Sequence, residues 1–257
     1  MWTRITLIIA LLLLMQLPAL KLAAQQDPLY TQYIFNPFVI NPAIAGTNNY
    51  YQIRSNHRLQ WLDWAGAPVT NNLSIYGPLA KQPMGIGGYI SNDVMDAVSV
   101  TGAYGSYAYN YPITTDIKAS GGLTVGVIQY KMDGTRLKYN DESEAASYQI
   151  PNSKFVPDAN MGIYIYSAMF QGGISVSHLL NNKLNLGEAT GLSKLRSHFS
   201  IMGGYKYYVN RDIAVEPSTI IKMVNSAPPQ MDLLVRGIYQ DMVWMGVNFR
   251  TSMQFQY

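Results

Sequence analysis

The chain has 257 residues, with 18 Lys+Arg against 15 Asp+Glu and no cysteine. So even a charge balance leaves no basic footprint for nucleic acid, and the missing thiols exclude disulfide frameworks, thiolate metal sites, cysteine nucleophiles and cysteine-linked lipids. Charged residues are only 13% of the chain, about half the usual share of a soluble domain, while 20 tyrosines and 21 glycines take their place.

Residues 1–24 read as a secretory signal. Arg4 supplies the positive end, Ile5 to Leu14 the apolar run, and Leu22-Ala23-Ala24 a small-residue cleavage site before Gln25. An N-terminal membrane anchor is the alternative, but the apolar run is short for a spanning helix and is interrupted by Gln16 and Pro18. No later stretch approaches about 18 uninterrupted apolar residues, so spanning helices are not expected downstream.

Residues 25–48 form a Pro/Asn-rich lead-in without a clean period, opening on Gln26-Asp27-Pro28 and closing on Asn41-Pro42-Ala43-Ile44-Ala45-Gly46. Proline removes backbone donors and biases the preceding residue away from helix, which predicts a folded loop or plug-like segment. Its aromatics Tyr30, Tyr33, Phe35 and Phe38 predict that it packs against something.

From residue 49 to 257 the chain alternates with period two. In 196–209, Phe199, Ile201, Tyr205, Tyr207 and Val209 share one face, and Ser200, Gly204 and Lys206 the other. Successive strand side chains point to opposite faces, so this period is β and not helix. Eleven strands are expected, roughly 50–62, 69–79, 84–92, 97–110, 115–130, 159–167, 169–179, 197–209, 212–225, 229–239 and 242–250. Turn chemistry separates several of them, as at Gly77-Pro78, Asn92-Asp93, Tyr111-Pro112 and Asn210-Arg211-Asp212. Longer polar interruptions are expected at 131–158 and 180–196. Behind an export signal, this pattern predicts an all-β fold, an antiparallel transmembrane β-barrel of the outer-membrane type. Bacterial single-chain barrels use even strand numbers, so a count of eleven reads either as a count off by one or as a barrel that is C-terminally truncated.

Chemistry is sparse. His57, His178 and His198 lie far apart in sequence without an acid at ligand spacing, so no metal is expected. No Gly-x-Ser-x-Gly elbow exists, Ser175 being mid-strand without the second glycine. Gly85-x-Gly87-Gly88 precedes no helix and reads as curved strand, not a phosphate cradle. Asp93 and Asp96 read as turn caps in preference to an acid–base dyad. No catalytic residue and no cofactor is expected. The polar phase does carry mid-strand charge, at Lys118, Lys206, Glu216, Lys222, Asp232, Arg236 and Arg250. Such groups are costly on a lipid face, so they should point into the lumen and pair as an ion network that braces it. Trp61, Trp64 and Trp244, near strand ends, read as interface aromatics; packing of the lead-in is the alternative for Trp61 and Trp64.

Several motifs recur in order along the mature chain. They begin at Asp27-Pro28 with Tyr30, Gln32-Tyr33, Asn36-Pro37, Asn41-Pro42-Ala43 and Gly46, then Arg58-Leu59-Gln60-Trp61 and Gly66-Ala67-Pro68 with Thr70. Gly85-Ile86-Gly87-Gly88, Asn92-Asp93, Pro157-Asp158, Gly162, Gly173 to Leu179 and Gly204-Tyr205-Lys206 follow. Pro217-Ser218, Lys222, Gln230, Asp232, Trp244, Gly246 and Arg250 complete the set. In these the chain resembles the PorP/SprF family of outer-membrane proteins of the type IX secretion and gliding-motility machinery. It departs at the end, where family members usually continue past the Trp244-x-Gly246-x-x-x-Arg250 strand with further strands.

The resemblance implies a non-enzymatic outer-membrane barrel. It would anchor or help export secreted cargo or adhesin proteins and contact periplasmic secretion and motility components, with outer-membrane lipid as its solvent. The lead-in residues Asp27, Pro28, Tyr30, Gln32, Asn36, Pro37, Asn41, Pro42 and Gly46 would then be a partner contact or a plug. The alternative function is a small-solute channel or porin, which a polar lumen would serve equally well.

Overall fold

The computed structural model describes residues 35–61, 63–133, 152–182, 195–224 and 227–252. The expected signal segment, the lead-in residues Asp27, Pro28, Tyr30 and Gln32, and most of the two polar interruptions lie outside the described residues.

Strands dominate. They are β1 Gln52–Leu59, β2 Val69–Pro78, β3 Met84–Met95, β4 Val98–Pro112, β5 Lys118–Met132 and β6 Asn152–Tyr166. Then come β7 Phe170–Ser177, β8 His198–Tyr205, β9 Tyr207–Tyr208, β10 Ile213–Val224, β11 Ala227–Tyr239 and β12 Val243–Ser252. They form one antiparallel sheet in sequence order, with β9 paired only to β10. The registers of β8 and β9 against β10 are continuous, so the two are halves of a single ribbon. The ladder breaks opposite Pro217, which has no N–H to donate. Among the described residues eleven ribbons therefore cross, the number expected from the alternation. Among the described residues the sheet is not closed, and β1 and β12 are its two edges.

Phase decides the architecture. One face carries Ile53, Leu73, Ile75, Ile90, Leu123, Val125, Val127, Ile163, Ile174, Val235 and Val247, all exposed. The opposite face carries Asn72, Ser74, Ser106, Thr124, Asn160, Ser200, Glu216, Ser218 and Asp232, all buried. Apolar outside and polar inside inverts the rule for water-soluble proteins and is the pattern of a barrel bathed in lipid. Replacing Val125, 59% exposed in the middle of β5, by arginine is expected to cost about 2–4 kcal/mol near the bilayer midplane. The midpoint of urea unfolding in lipid vesicles checks it, and an unchanged midpoint would mean this face does not meet hydrocarbon.

Connections sort by end. Turns 79–83, 113–117, 167–169, 209–212 and 240–242 share one end with the close of the lead-in. Connections 60–68, 133–151 and 178–197 share the other. Outward-facing tyrosines ring the short-turn end: Tyr107, Tyr109, Tyr111, Tyr205, Tyr207 and Tyr239 are all exposed. An aromatic body with a wet hydroxyl suits the headgroup level, so these form the girdle on that side.

Two expected boundaries need correction. The interruption read as 131–158 is shorter, because residues 152–158 belong to β6 and pair along β5. Pro157 lies within this stretch, paired with Val127. Its carbonyl accepts from Asn182 Nδ2 at 2.5 Å and Ala159 O accepts from Leu179 N at 2.9 Å. The odd residues here thus turn their backbone groups away from β5, past the last β7 pairing at Met161↔Val176, so the missing N–H forfeits no ladder bond. Likewise Asn92-Asp93 is strand, not turn. β3 continues to Met95 and reverses at Asp96, whose φ is +50°.

Candidate functional site

The lead-in folds into the enclosed space. Residues Pro37–Val39 and Pro42–Ile44 each make one 3₁₀ turn. Proline opens both, where its fixed φ fits and its absent N–H would in any case lack a partner. Asn41 caps the second turn, its Oδ1 accepting from Ala43 N at 3.0 Å. Gly46, at φ +76°, then turns the chain out toward β1. Phe38 is 1% exposed, and Asn41, Ala43 and Ala45 are 0% exposed. They pack with Tyr76, Tyr89, Ala108, Tyr164, Met202 and Ile220 from the inner faces of six strands.

Wall glycines make this approach possible. A Cβ on Gly122 would lie 2.3 Å from Ala43 N, and one on Gly85 would lie 2.1 Å from Ala45 O. Added to Gly162 it would meet Asn41 Oδ1 at 2.1 Å, and added to Gly87 it would meet the Phe38 ring at 2.8 Å. Of the glycines that read as curved strand, Gly85 and Gly87 are sockets for the plug.

Polar ties fix the segment in place. Asn36 Nδ2 lies within donating distance of Asn56 Oδ1 at 3.1 Å, Asn72 Oδ1 at 3.0 Å and Ser74 Oγ at 2.9 Å. Asn41 Nδ2 donates to Ile163 O at 3.1 Å, reaching a strand 122 residues away in sequence. Asn110 Nδ2 donates to Ala45 O at 3.2 Å, and Arg54 donates to Phe35 O. A ladder of rings continues the contact across the wall: Phe38 stacks on Tyr76 at 4.4 Å, meets Tyr89 edge-on at 6.0 Å, and Tyr89 stacks on Tyr104 at 4.4 Å. Replacing Asn41 by alanine deletes the cap and the wall tie together. It is expected to destabilise the folded barrel by about 2 kcal/mol, again read from the urea midpoint, whereas a loss under about 0.5 kcal/mol would mean the plug is held by shape alone.

The charged residues separate into groups. Asp232, 1% exposed, takes a two-pronged contact from Arg250: Nε to Oδ1 at 2.6 Å and Nη2 to Oδ2 at 2.7 Å. Arg236 Nη2 meets Glu216 Oε1 at 2.9 Å. Lys222 is on the same inner phase, between Ser200 and Gln230 in the ladders. Two members do not sit mid-strand as expected. Lys118 is the exposed first residue of β5, and Lys206 lies at the β8–β9 break, bonded to the exposed Asp241 at 2.5 Å on the short-turn rim.

Among the tryptophans, Trp61 and Trp64 are 70% and 75% exposed in the β1–β2 connection. Trp244 departs from the expectation of an interface residue. It shares the inner phase of β12 with Asn248 and Arg250, its ring 5.2 Å from Phe35 and 5.4 Å from the Arg236 guanidinium.

One pair escaped the sequence reading. His178 Nδ1 lies 2.8 Å from Asp158 Oδ2, an oxygen that also accepts from Tyr104 at 3.2 Å, and the His178 and His198 rings are 5.9 Å apart. His178 has φ +56° just past β7, so no spacing on a common element signals its acid. Asp93 accepts from Thr70 within the β2–β3 pair, while Asp96 N donates to Gly66 O at the turn. They do not form a dyad. The foot of the β7–β8 connection is pinned as well: Leu195 N donates to Asn182 O at 2.9 Å, and Leu195 packs on Ile128 and Val156.

An antiparallel sheet apolar outside, polar inside and filled by its own N-terminal segment defines a plugged β-barrel protein of the outer-membrane type. The model of the PorP/SprF family, type IX secretion system membrane proteins, matches residues 22–257. The chain belongs to that family and is a membrane component of the type IX secretion system. No curated protein matches it.

Proposed function

We propose that this chain is a scaffold of the type IX pathway and not a conduit. It holds secreted adhesin or other cargo at the outer face of the outer membrane and meets periplasmic secretion and motility components at the inner face. The filled lumen carries this reading. Phe38, Asn41, Ala43 and Ala45, each at most 1% exposed, occupy the space that a solute channel would keep open. Binding is then left to the two ends.

Short turns are the periplasmic habit of such barrels and long connections the external one. Phe35 lies against Trp244, the second residue of β12, at the short-turn end, so the described part of the lead-in begins at the end read as periplasmic, where machinery is met. The connections within 133–151 and 178–197 face cargo. The ion pairs and the wall hydrogen bonds brace the barrel and do no chemistry.

Deletion of the gene is expected to strip surface-retained cargo while leaving the other outer-membrane proteins in place, as read by surface proteolysis and mass spectrometry. Purified protein in planar bilayers is expected to show no steady conductance. Ohmic pores with a defined solute cutoff, together with unchanged surface cargo, would favour the porin reading.

A further inference from the structure

The lipid face of the sheet is not apolar throughout. On the outward phase of β1–β5, one ladder row is polar from end to end: His57, Asn71, Asn92, Thr101 and Gln129 are register partners in turn. The next outward row toward the short turns returns to Leu73, Ile90, Ala103 and Val127. Side chains in and beside the polar row are joined to one another. Ser55 Oγ, the His57 ring and Asn71 Oδ1 form one chain at 2.8 and 2.7 Å. Asn92 Nδ2 donates to Thr101 Oγ1 at 2.8 Å, and Gln129 Nε2 donates to Ser153 Oγ at 3.0 Å. Polar groups that face lipid must find partners within the protein, and here each amide engages one end only. Asn71 Nδ2, Asn92 Oδ1 and Gln129 Oε1 make no hydrogen bond among the described residues.

Height assigns the row to headgroups. Thr101 and the girdle residue Tyr109 both face outward on β4, eight residues apart. That is about 26 Å along a strand and about 20 Å along the membrane normal at a tilt of about 40°. The apolar band of such barrels is about 25 Å tall, so the row stands at its far margin, where hydrocarbon gives way to polar headgroups. It is also confined to one side of the sheet. On β7, β8 and β10 the outward residues nearest the long-loop end are Val176, Phe199 and Met223, register partners of one another. Lys131, exposed and in register with Ser99 and Ser153, is the only Asp, Glu, Lys or Arg on the outward phase of β1–β6. The patch thus combines amides and hydroxyls with one cation and no acid.

We propose that this face of β1–β6 seats the phosphorylated saccharide headgroup of an outer-leaflet glycolipid. The open amide ends and the hydroxyls match the donors and acceptors of a sugar, and Lys131 meets a phosphate as a point charge. Leu73, Ile90 and Val127, directly below, take the acyl chains. A phospholipid would bring the phosphate without the sugar and leave the amide row unmatched at the level where hydrocarbon ends. The seat therefore holds glycolipid against one side of the barrel, while β7, β8 and β10 meet acyl chains up to their long-loop ends. This inference rests on the long-loop end lying outside the cell, as in the scaffold reading, and on nothing else in it.

Phosphatidylcholine vesicles holding the folded chain would carry, at equal mole fraction, diphosphorylated lipid A, its dephosphorylated form or phosphatidylglycerol. Native mass spectrometry reads the lipid retained. Diphosphorylated lipid A is expected to be retained at least tenfold over either of the others. Asn92→Leu combined with Lys131→Met should lower that retention at least tenfold. Both changes suit a lipid face, so folding, read by electrophoretic shift, should stay intact. Lys118→Met, a matched loss of charge at the exposed start of β5 on the short-turn end, should leave retention unchanged. Sidedness is read separately. The chain has no cysteine, so Asp63→Cys, exposed in the β1–β2 connection, should alone react with an impermeant maleimide on intact cells. Reaction only after lysis would overturn the scaffold's orientation and this inference with it. Reaction on intact cells would leave the orientation standing, and three results would then overturn the seat alone: equal retention of the three lipids, unchanged retention in the folded double variant, or photo-adducts from Asn71 that are protein and not lipid.

Discussion

Gly122→Val is expected to drive the lead-in out of the lumen. A Cβ at this position would stand 2.3 Å from Ala43 N, 2.5 Å from Pro42 C and 2.7 Å from Ala43 Cα, all backbone atoms of the plug. Backbone cannot swing aside as a side chain does, and Ala43 is already 0% exposed. Overpacking a filled interior costs about 1–3 kcal/mol when side chains can repack, and more when they cannot. A loss of at least about 3 kcal/mol of plug docking is therefore expected here. Three readouts should move together: protease sensitivity of the lead-in, a lowered urea midpoint, and conductance where the parent shows none. Gly121→Val is the matched control, since nothing lies within 4 Å of its added Cβ and the residue faces outward. Its effect should stay within about 0.5 kcal/mol. Equal behaviour of the two variants would sink the socket assignment.

Asp232→Ala is the second large effect. The carboxylate is 1% exposed and holds Arg250 through two short contacts at 2.6 and 2.7 Å. Removing one partner of a buried pair leaves the other charge uncompensated, a loss of about 3–5 kcal/mol in sealed sites. The Arg250 side chain is 24% exposed, so water recovers part of this and about 3 kcal/mol is expected. The double change Asp232→Leu with Arg250→Met should recover most of the loss, because both desolvation penalties vanish together. Urea titration of the four species in one lipid closes the cycle. A single change that costs less than about 1 kcal/mol would show the pair to be solvated, and the lumen wetter than its burial indicates.

The sequence carried the strand pattern well because period two is a local property. Each residue's phase follows from its neighbours alone, so all eleven ribbons and their lipid face were legible, two of them with a misplaced end. The exceptions were also local. Pro157 and the Asn92-Asp93 pair carried breaker chemistry that their surroundings absorbed. Trp244 was misplaced although parity alone puts it on the face of Arg250, three repeats of the pleat away. Its aromatic character near a strand end had been weighed above its phase.

What the chain determined by itself was the alternation, the proline-opened lead-in and the family to which it belongs. Tertiary structure alone decided who meets whom. It set Asn41 against Ile163, Ala43 against Gly122, Arg250 against Asp232 and His178 against Asp158. Phase names the face a side chain occupies, but the partner across the lumen depends on strand order, register and curvature, which are summed over the whole sheet and written in no short window of sequence.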